Sequence, residues 1–86
     1  MYIFGAGISG LYAAEELQEN GIPVAAFCDN NSELWGTEIV DGTRCIKLSD
    51  INKDTPFVIA VKERNVFQVT KQLEENNCKG YGVINK

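Results

Sequence analysis

Histidine is absent from this 86-residue chain, and with it go the usual general base at neutral pH and the commonest metal ligand. That absence speaks against catalysis carried out by these residues alone. Cysteine is scarce. Cys28, Cys45 and Cys78 are an odd number with no metal-ligand spacing; Cys28 and Cys45 lie in apolar runs and read as small buried hydrophobes. Basic residues are few and scattered, 8 Lys and Arg against 12 Asp and Glu, for a net charge of −4. This balance predicts no nucleic-acid partner, because such partners require a basic stripe that replaces phosphate counterions. No apolar run approaches the roughly 20 residues of a membrane span, and no charged leader precedes the first apolar segment. Membrane insertion is therefore not expected, and the default location is cytoplasmic.

What remains is the composition of an ordinary globular domain, 44% hydrophobic and 23% charged. The length fits one domain, residues 1–86, and a core of modest size. Tyr2-Ile3-Phe4 reads as a short buried strand closed by glycine. Ser9 to Asn20 has no breaker and predicts a helix, with Ala13, Ala14 and Leu17 inward and Glu15, Glu16 and Glu19 outward. Asn20-Gly21 supplies its C-cap, and Pro23 prevents continuation. Val24 to Cys28 predicts the second strand. Ser32 to Gly42 reads as a loop with one helical turn, anchored by Trp35, and Thr43 to Leu48 as a short third strand before a turn at Ser49. Phe57 to Val61 predicts the next strand, and Val66, Val69, Thr70 and Leu73 recur at helical spacing. Asn65 with Gln68 resembles a capping box at the start of that helix. Tyr81 to Ile84 closes the sheet.

Strands alternating with helices imply parallel pairing. The expected fold is a Rossmann-like three-layer αβα domain with a mostly parallel sheet of four to five strands. The first strand should be central, flanked by the second and by the Phe57 strand. Ligands bind such sheets beyond the strand C-termini where strand order reverses, which places Gly5 to Gly10 at the expected site.

Gly5-Ala6-Gly7-Ile8-Ser9-Gly10 matches the dinucleotide-binding G-x-G-x-x-G pattern, here between a strand and a helix. Gly5 permits a tight turn, Gly7 lets a pyrophosphate approach the backbone, and Gly10 lets the helix lie close on the sheet. The unpaired N–H groups at the helix start favour an anion, and no acid precedes Glu15. The same glycines also suit plain helix–strand packing without any ligand.

Gly5 through Leu17, with Gly21 and Val24, resembles the FAD fingerprint of amine-oxidase-like flavoproteins. That family places its ribose-binding acid four residues after the valine, where this chain has Cys28. A one-residue slip turns a strand side chain to the opposite face, so Asp29 does not serve and the flavin reading is set aside. A second resemblance covers nearly the whole chain, through Tyr2 to Gly10, Phe27-Cys28-Asp29-Asn30-Asn31, Trp35-Gly36, Cys45 to Ile51 and Val58-Ile59-Ala60-Val61. The chain is similar to the N-terminal nucleotide-sugar-binding domain of bacterial sugar acetyltransferases. It is closer still to the modules attached to glycosyltransferases, FkbM-like methyltransferases and nucleotide-sugar dehydratases of surface-polysaccharide biosynthesis.

The resemblance implies that Gly5, Ala6, Gly7, Ile8, Ser9 and Gly10 face a diphosphate, that Asp29 and Asn30 hydrogen-bond the base or ribose, and that Val61 and Lys62 line the far wall. It implies a UDP-type nucleotide sugar or NAD as ligand, and the remainder of a larger transferase or sugar-modifying protein as partner. Acetyltransferase relatives commonly carry Gly-His-Gly where this chain has Ile8-Ser9-Gly10, and no acetyl-transferring β-helix is present, so that activity is not assigned. Other readings stay open. Asp29 can cap a turn with Asn30 and Asn31, Ser9 can cap the helix, Lys62 can be a solvated charge, and Trp35 can plug the sheet edge or stack on a base. Tyr12 and Tyr81 read as packing residues. An NAD-binding fragment of an oxidoreductase and a docking domain without a ligand are the competing functional classes.

Overall fold

The computed structural model describes residues 1–78 and 81–83, Tyr81 by its backbone only. Six strands form one sheet in the order β3-β4-β2-β1-β5-β6. These are β1 (Tyr2–Phe4), β2 (Ala26–Cys28), β3 (Glu38–Val40), β4 (Thr43–Ile46), β5 (Phe57–Ile59) and β6 (Tyr81–Val83). β1 is central and pairs in parallel with β2 and β5, with Phe4 opposite Cys28 on one side and Ile59 on the other. β4 and β6 extend the sheet in parallel on the two flanks. Because β2 and β5 leave β1 in opposite directions, the switch in strand order falls beside the C-terminus of β1. The fold is Rossmann-like, as the alternation of strands and helices implied.

Two helices cover opposite faces. Helix α1 (Ile8–Glu19) lays Gly10, Ala13 and Leu17 on one face, against a cluster that includes Ile3, Phe27, Cys45, Val58 and Ala60. Helix α2 (Glu63–Glu75) lays Val69 and Leu73 on the other, against Tyr2, Phe4, Cys28, Phe57 and Ile59. The strict alternation of side chains along a strand produces this split. Tyr2 and Phe4 go one way and Ile3 the other, so a three-residue strand serves both layers. Small residues on α1 keep it low over the sheet, and Ala13 is fully buried.

Some boundaries differ from the sequence reading. β2 starts at Ala26, two residues later than Val24, and Ile59 ends β5 two residues before Val61. The sheet has six strands because Glu38–Val40, expected as loop, folds back on β4 in an antiparallel hairpin. The turn there contains Gly42 at φ +81, a left-handed conformation that glycine adopts without steric cost. The 3₁₀ turns at Ser32–Leu34 and Leu48–Asp50 match the expected turns closely. No side chain caps α2, whose N-cap is Lys62; Asn65 and Gln68 therefore form no capping box, because the helix begins two residues before Asn65. Ile84, expected to end the last strand, lies outside the described residues, as does the side chain of Tyr81. Tyr12 is 54% exposed, not a packing residue, because it lies on the face of α1 turned away from the sheet. Glu16 is half-buried where full exposure was expected.

Candidate functional site

The turn from β1 into α1 is built around three glycines with three different constraints. Gly5 sits at φ +117 and donates its N–H to the Cys28 carbonyl at 2.7 Å. A Cβ on Gly5 would fall on the Ala60 carbonyl oxygen, so the turn is wedged between the ends of β2 and β5. A Cβ on Gly10 would fall on the Gly5 carbonyl oxygen, so α1 approaches the turn closer than any side chain allows. Both glycines are required by the fold itself. Gly7 is different: its φ is −93, ordinary for any residue, and a Cβ there would meet nothing within 4 Å.

Gly7 is also the N-cap of α1, with no side chain capping the helix and no acid in its first turn. The Leu11 N–H is the first to bond back, to the Gly7 carbonyl at 3.1 Å. Helix geometry leaves the N–H groups of Ile8, Ser9 and Gly10 without an intrahelical acceptor. Ser9 is half-buried inside the first turn, two positions past the N-cap and so too late to cap it. Ile8 is 75% exposed beside the open side of Gly7.

Asp29 closes the turn from the neighbouring strand. Its Oδ2 accepts the Ala6 N–H at 2.9 Å and its Oδ1 accepts the Asn31 N–H at 2.9 Å. Asp29 thus caps its own turn and also sits against the glycine turn, because the two carboxylate oxygens serve two backbones. This narrows the anion-facing stretch. With the Gly5 N–H on Cys28 and the Ala6 N–H on Asp29, the turn's remaining N–H groups are those of Gly7 to Gly10. Trp35 fixes Asp29 in turn: its Nε1 donates to the Asp29 carbonyl at 2.7 Å, and the Lys47 ammonium sits 5.7 Å from the indole centroid. Trp35 is therefore a brace for the end of β2, 37% exposed.

Below the turn, on the α2 side of the sheet, a cleft of about 410 Å³ opens between the end of β2 and α2. Asp29, Asn30 and Val61 line it, together with Phe4, Val69 and three amides of α2, Asn65, Gln68 and Gln72. Lys62, the N-cap of α2, does not line it and is exposed. Asn30 and Gln72 bridge the cleft through reciprocal side-chain hydrogen bonds, each 2.9 Å. The sequence reading missed the α2 amides. Their spacing of three and four residues (65, 68, 72) was the available signal, since it puts them on one helical face.

All three cysteines are buried and free. Burial first, then the neighbouring Cys45, Cys78 and Asp29, push the Cys28 thiol up to about 12. Burial likewise raises Cys45, with Asp29 adding to it, and Cys78, where Lys53 opposes the rise. None carries the lowered pKa of a reactive nucleophile. Among the described residues no group of three or more His, Cys, Asp or Glu is placed to hold a metal ion, and no helix is long and apolar enough to cross a membrane.

No family model and no curated protein matches the chain. Among solved structures it is similar to the crystal structure of RSP, a Rex-family repressor, with a TM-score of 0.67 and 15% sequence identity. The match covers 98% of this chain and 51% of that one, so the chain spans about half the length of its structural neighbour. This likeness concerns the fold. It also overturns the expectation that nucleic acid is excluded as a partner. The same fold occurs within a repressor, so the acidity of one domain does not exclude nucleic acid for a protein that carries it.

Proposed function

We propose that this domain binds a nucleotide through its phosphates, held at the N–H groups of Gly7, Ile8, Ser9 and Gly10. The observation that carries the reading is the contrast among the glycines. Gly5 and Gly10 are demanded by contacts within the chain, whereas Gly7 is bare where the fold has room for a side chain. Glycine at an open helix N-cap leaves the backbone approachable, and the partial positive charge of the helix start favours an anion there. An Asn, Asp or Ser at an N-cap normally stabilises a helix by about 1 kcal/mol. A glycine gives up only about a few tenths of a kcal/mol against those residues and keeps the approach to the helix N–H groups open.

The reading is of a binding domain and not of a catalytic one. Asp29 stands next to the phosphate positions, already oriented by two backbone donors, and its remaining lone pairs are available to ribose hydroxyls. A nucleotide sugar is the first ligand class in this reading and NAD the second. The wider role, as the nucleotide-recognition part of a polysaccharide-biosynthesis protein, is supported by the resemblance in Tyr2 to Gly10, Phe27 to Asn31 and Val58 to Val61. Titration of the ¹⁵N-labelled protein with UDP-sugars, NAD and NADP tests it. Saturable shifts at Gly7 to Gly10 and Asp29 are expected; silence throughout the panel would refute phosphate binding at this turn.

A further inference from the structure

We propose that copies of this chain associate head to tail, the outer face of α2 on one copy seated on the outer face of α1 on the next. Phe67 packs against Ile8, Leu11 and Tyr12, and Arg64 faces Glu15. This contact does not depend on nucleotide binding.

Helix α1 leaves three large apolar side chains outward, Ile8 at 75%, Leu11 at 41% and Tyr12 at 54% exposure. Their spacing of three and four residues puts them on one face, around a shallow hollow of about 180 Å³ that Glu15 completes. Glu15 and Glu19 continue the face toward the end of the helix. Helix α2 carries the most exposed large apolar side chain among the described residues, Phe67 at 78%. Arg64 stands three residues before it and Lys71 four after it, both exposed and opposite the buried Val69 and Leu73.

Neither helix balances these charges itself. Helix α1 contains no Lys or Arg, so nothing basic stands in its last turn, where the negative end of the helix favours a cation. Glu15 and Glu19 also repel each other one turn apart. Arg64 lies in the first turn of α2, where the positive end disfavours a cation; Glu63 in the same turn is on the flank of the ridge that Arg64 and Lys71 form. Among the described residues, no hydrogen bond or ion pair engages the side chains of Glu15, Glu19, Arg64 or Lys71. Each helix thus lacks the charge that the other presents.

The spacings agree when the two helices run antiparallel. Tyr12 precedes Glu15 by three residues and Arg64 precedes Phe67 by three, a step of about 4.5 Å along either axis. With Phe67 over Tyr12, Arg64 falls on Glu15. Lys71 then falls on Ile8, its methylene stem lying along that apolar side chain. The positive end of α2 meets the negative end of α1 in this arrangement. Because α1 and α2 cover opposite faces of the sheet, a copy offers its two surfaces to two different neighbours. The contact is therefore heterologous and propagates beyond a pair. One helix against another is a small interface, below about 1,200 Å², so the association is weak.

Sedimentation equilibrium from micromolar to millimolar concentration tests this in the wild type and in Phe67→Ala, Tyr12→Ala, Arg64→Glu, Glu15→Lys and the double variant Arg64→Glu/Glu15→Lys. All four positions are exposed, and far-UV circular dichroism verifies that each variant folds. The expected result is a weight-average mass that rises with concentration past the dimer. Phe67→Ala and Tyr12→Ala each weaken association about tenfold, the size of one lost aromatic contact. Arg64→Glu and Glu15→Lys each weaken it about fivefold, and joining the two reversals in one chain restores it. Glu15→Lys also reduces the net negative charge, so general repulsion between acidic copies predicts the opposite, a stronger association. Monomer mass at every concentration, a mass that levels off at the dimer, aromatic variants that associate as the wild type does, or a Glu15→Lys protein that associates as well or better would each overturn the proposal.

Discussion

The Asp29 carboxylate accepts the Ala6 N–H at 2.9 Å, tying the end of β2 to the glycine turn after β1 across 23 residues of sequence. Its other oxygen holds the Asn31 N–H, so one side chain fixes two loops. Asp29→Asn keeps the shape but sets an NH₂ group against one of these donors. The variant is expected to lose about 1–3 kcal/mol, the cost of leaving a partly buried donor without its acceptor. Urea denaturation of both proteins measures it; equal midpoints would mean that the carboxylate does not organise the turn.

Trp35 is the chain's single tryptophan, and its Nε1 donates to the Asp29 carbonyl at 2.7 Å. Replacing it with Phe removes that donor and is expected to cost about 0.5–1.5 kcal/mol from the hydrogen bond, besides lost packing. The same contact makes its fluorescence a reporter of the site. A nucleotide that engages Asp29 should change the Trp35 emission, and Asp29→Ala should abolish the saturable change. An emission change that survives in Asp29→Ala would place the ligand elsewhere.

The Cys28 thiol, pushed up to about 12 by burial, stays protonated in the folded protein over a range where an unfolded thiol ionises. The folded state therefore binds more protons than the unfolded one above about pH 9. Its stability contribution is full below pH 9 and is lost as pH rises toward 12, with a slope of up to about 1.4 kcal/mol per pH unit. Other groups titrate in the same window, so the measurement is the difference between the wild type and Cys28→Ala. The wild type should lose stability more steeply above pH 9; parallel curves would contradict the assignment.

Much of the fold was legible because its signals are local and periodic. Glycine after Phe4, the unbroken run from Ser9 and the Asn20-Gly21 stop define β1 and α1 to within a residue. The unbroken apolar runs of β1 and β5 show that both faces of the sheet are covered. The β3 strand was not legible. Glu38-Ile39-Val40 is short and half-exposed, and its state depends on pairing with Thr43 and Arg44, a tertiary fact that propensity does not carry.

The site was legible in its parts and not in its arrangement. The glycine spacing marked the turn, and Asp29 at the end of β2 marked its neighbour. Nothing local in the sequence distinguishes the two structural glycines from the open one, because that difference lies in where the Ala60 and Gly5 carbonyls fall. Lys62 drew attention through its charge, yet it is exposed at the start of α2 and does not line the cleft. Asn65 and Gln68 suggested a cap, while their distance from the true helix start puts them on the cleft.

The central claim is that Gly7 is glycine for the sake of a ligand, and Gly7→Ala tests it most directly, with Gly5→Ala and Gly10→Ala as comparisons. Thermal unfolding and nucleotide titration are measured on each. Gly7→Ala is expected to fold with stability lowered by only about 0.5–1 kcal/mol, since its φ of −93 and open surroundings accept a methyl group while alanine is a poorer N-cap than glycine. Its nucleotide affinity should fall about tenfold or more as the methyl group occupies the approach to the helix N–H groups. Gly5→Ala and Gly10→Ala should lose about 1–3 kcal/mol through overpacking against backbone carbonyls. A Gly7→Ala protein that binds every nucleotide as the wild type does would contradict the account.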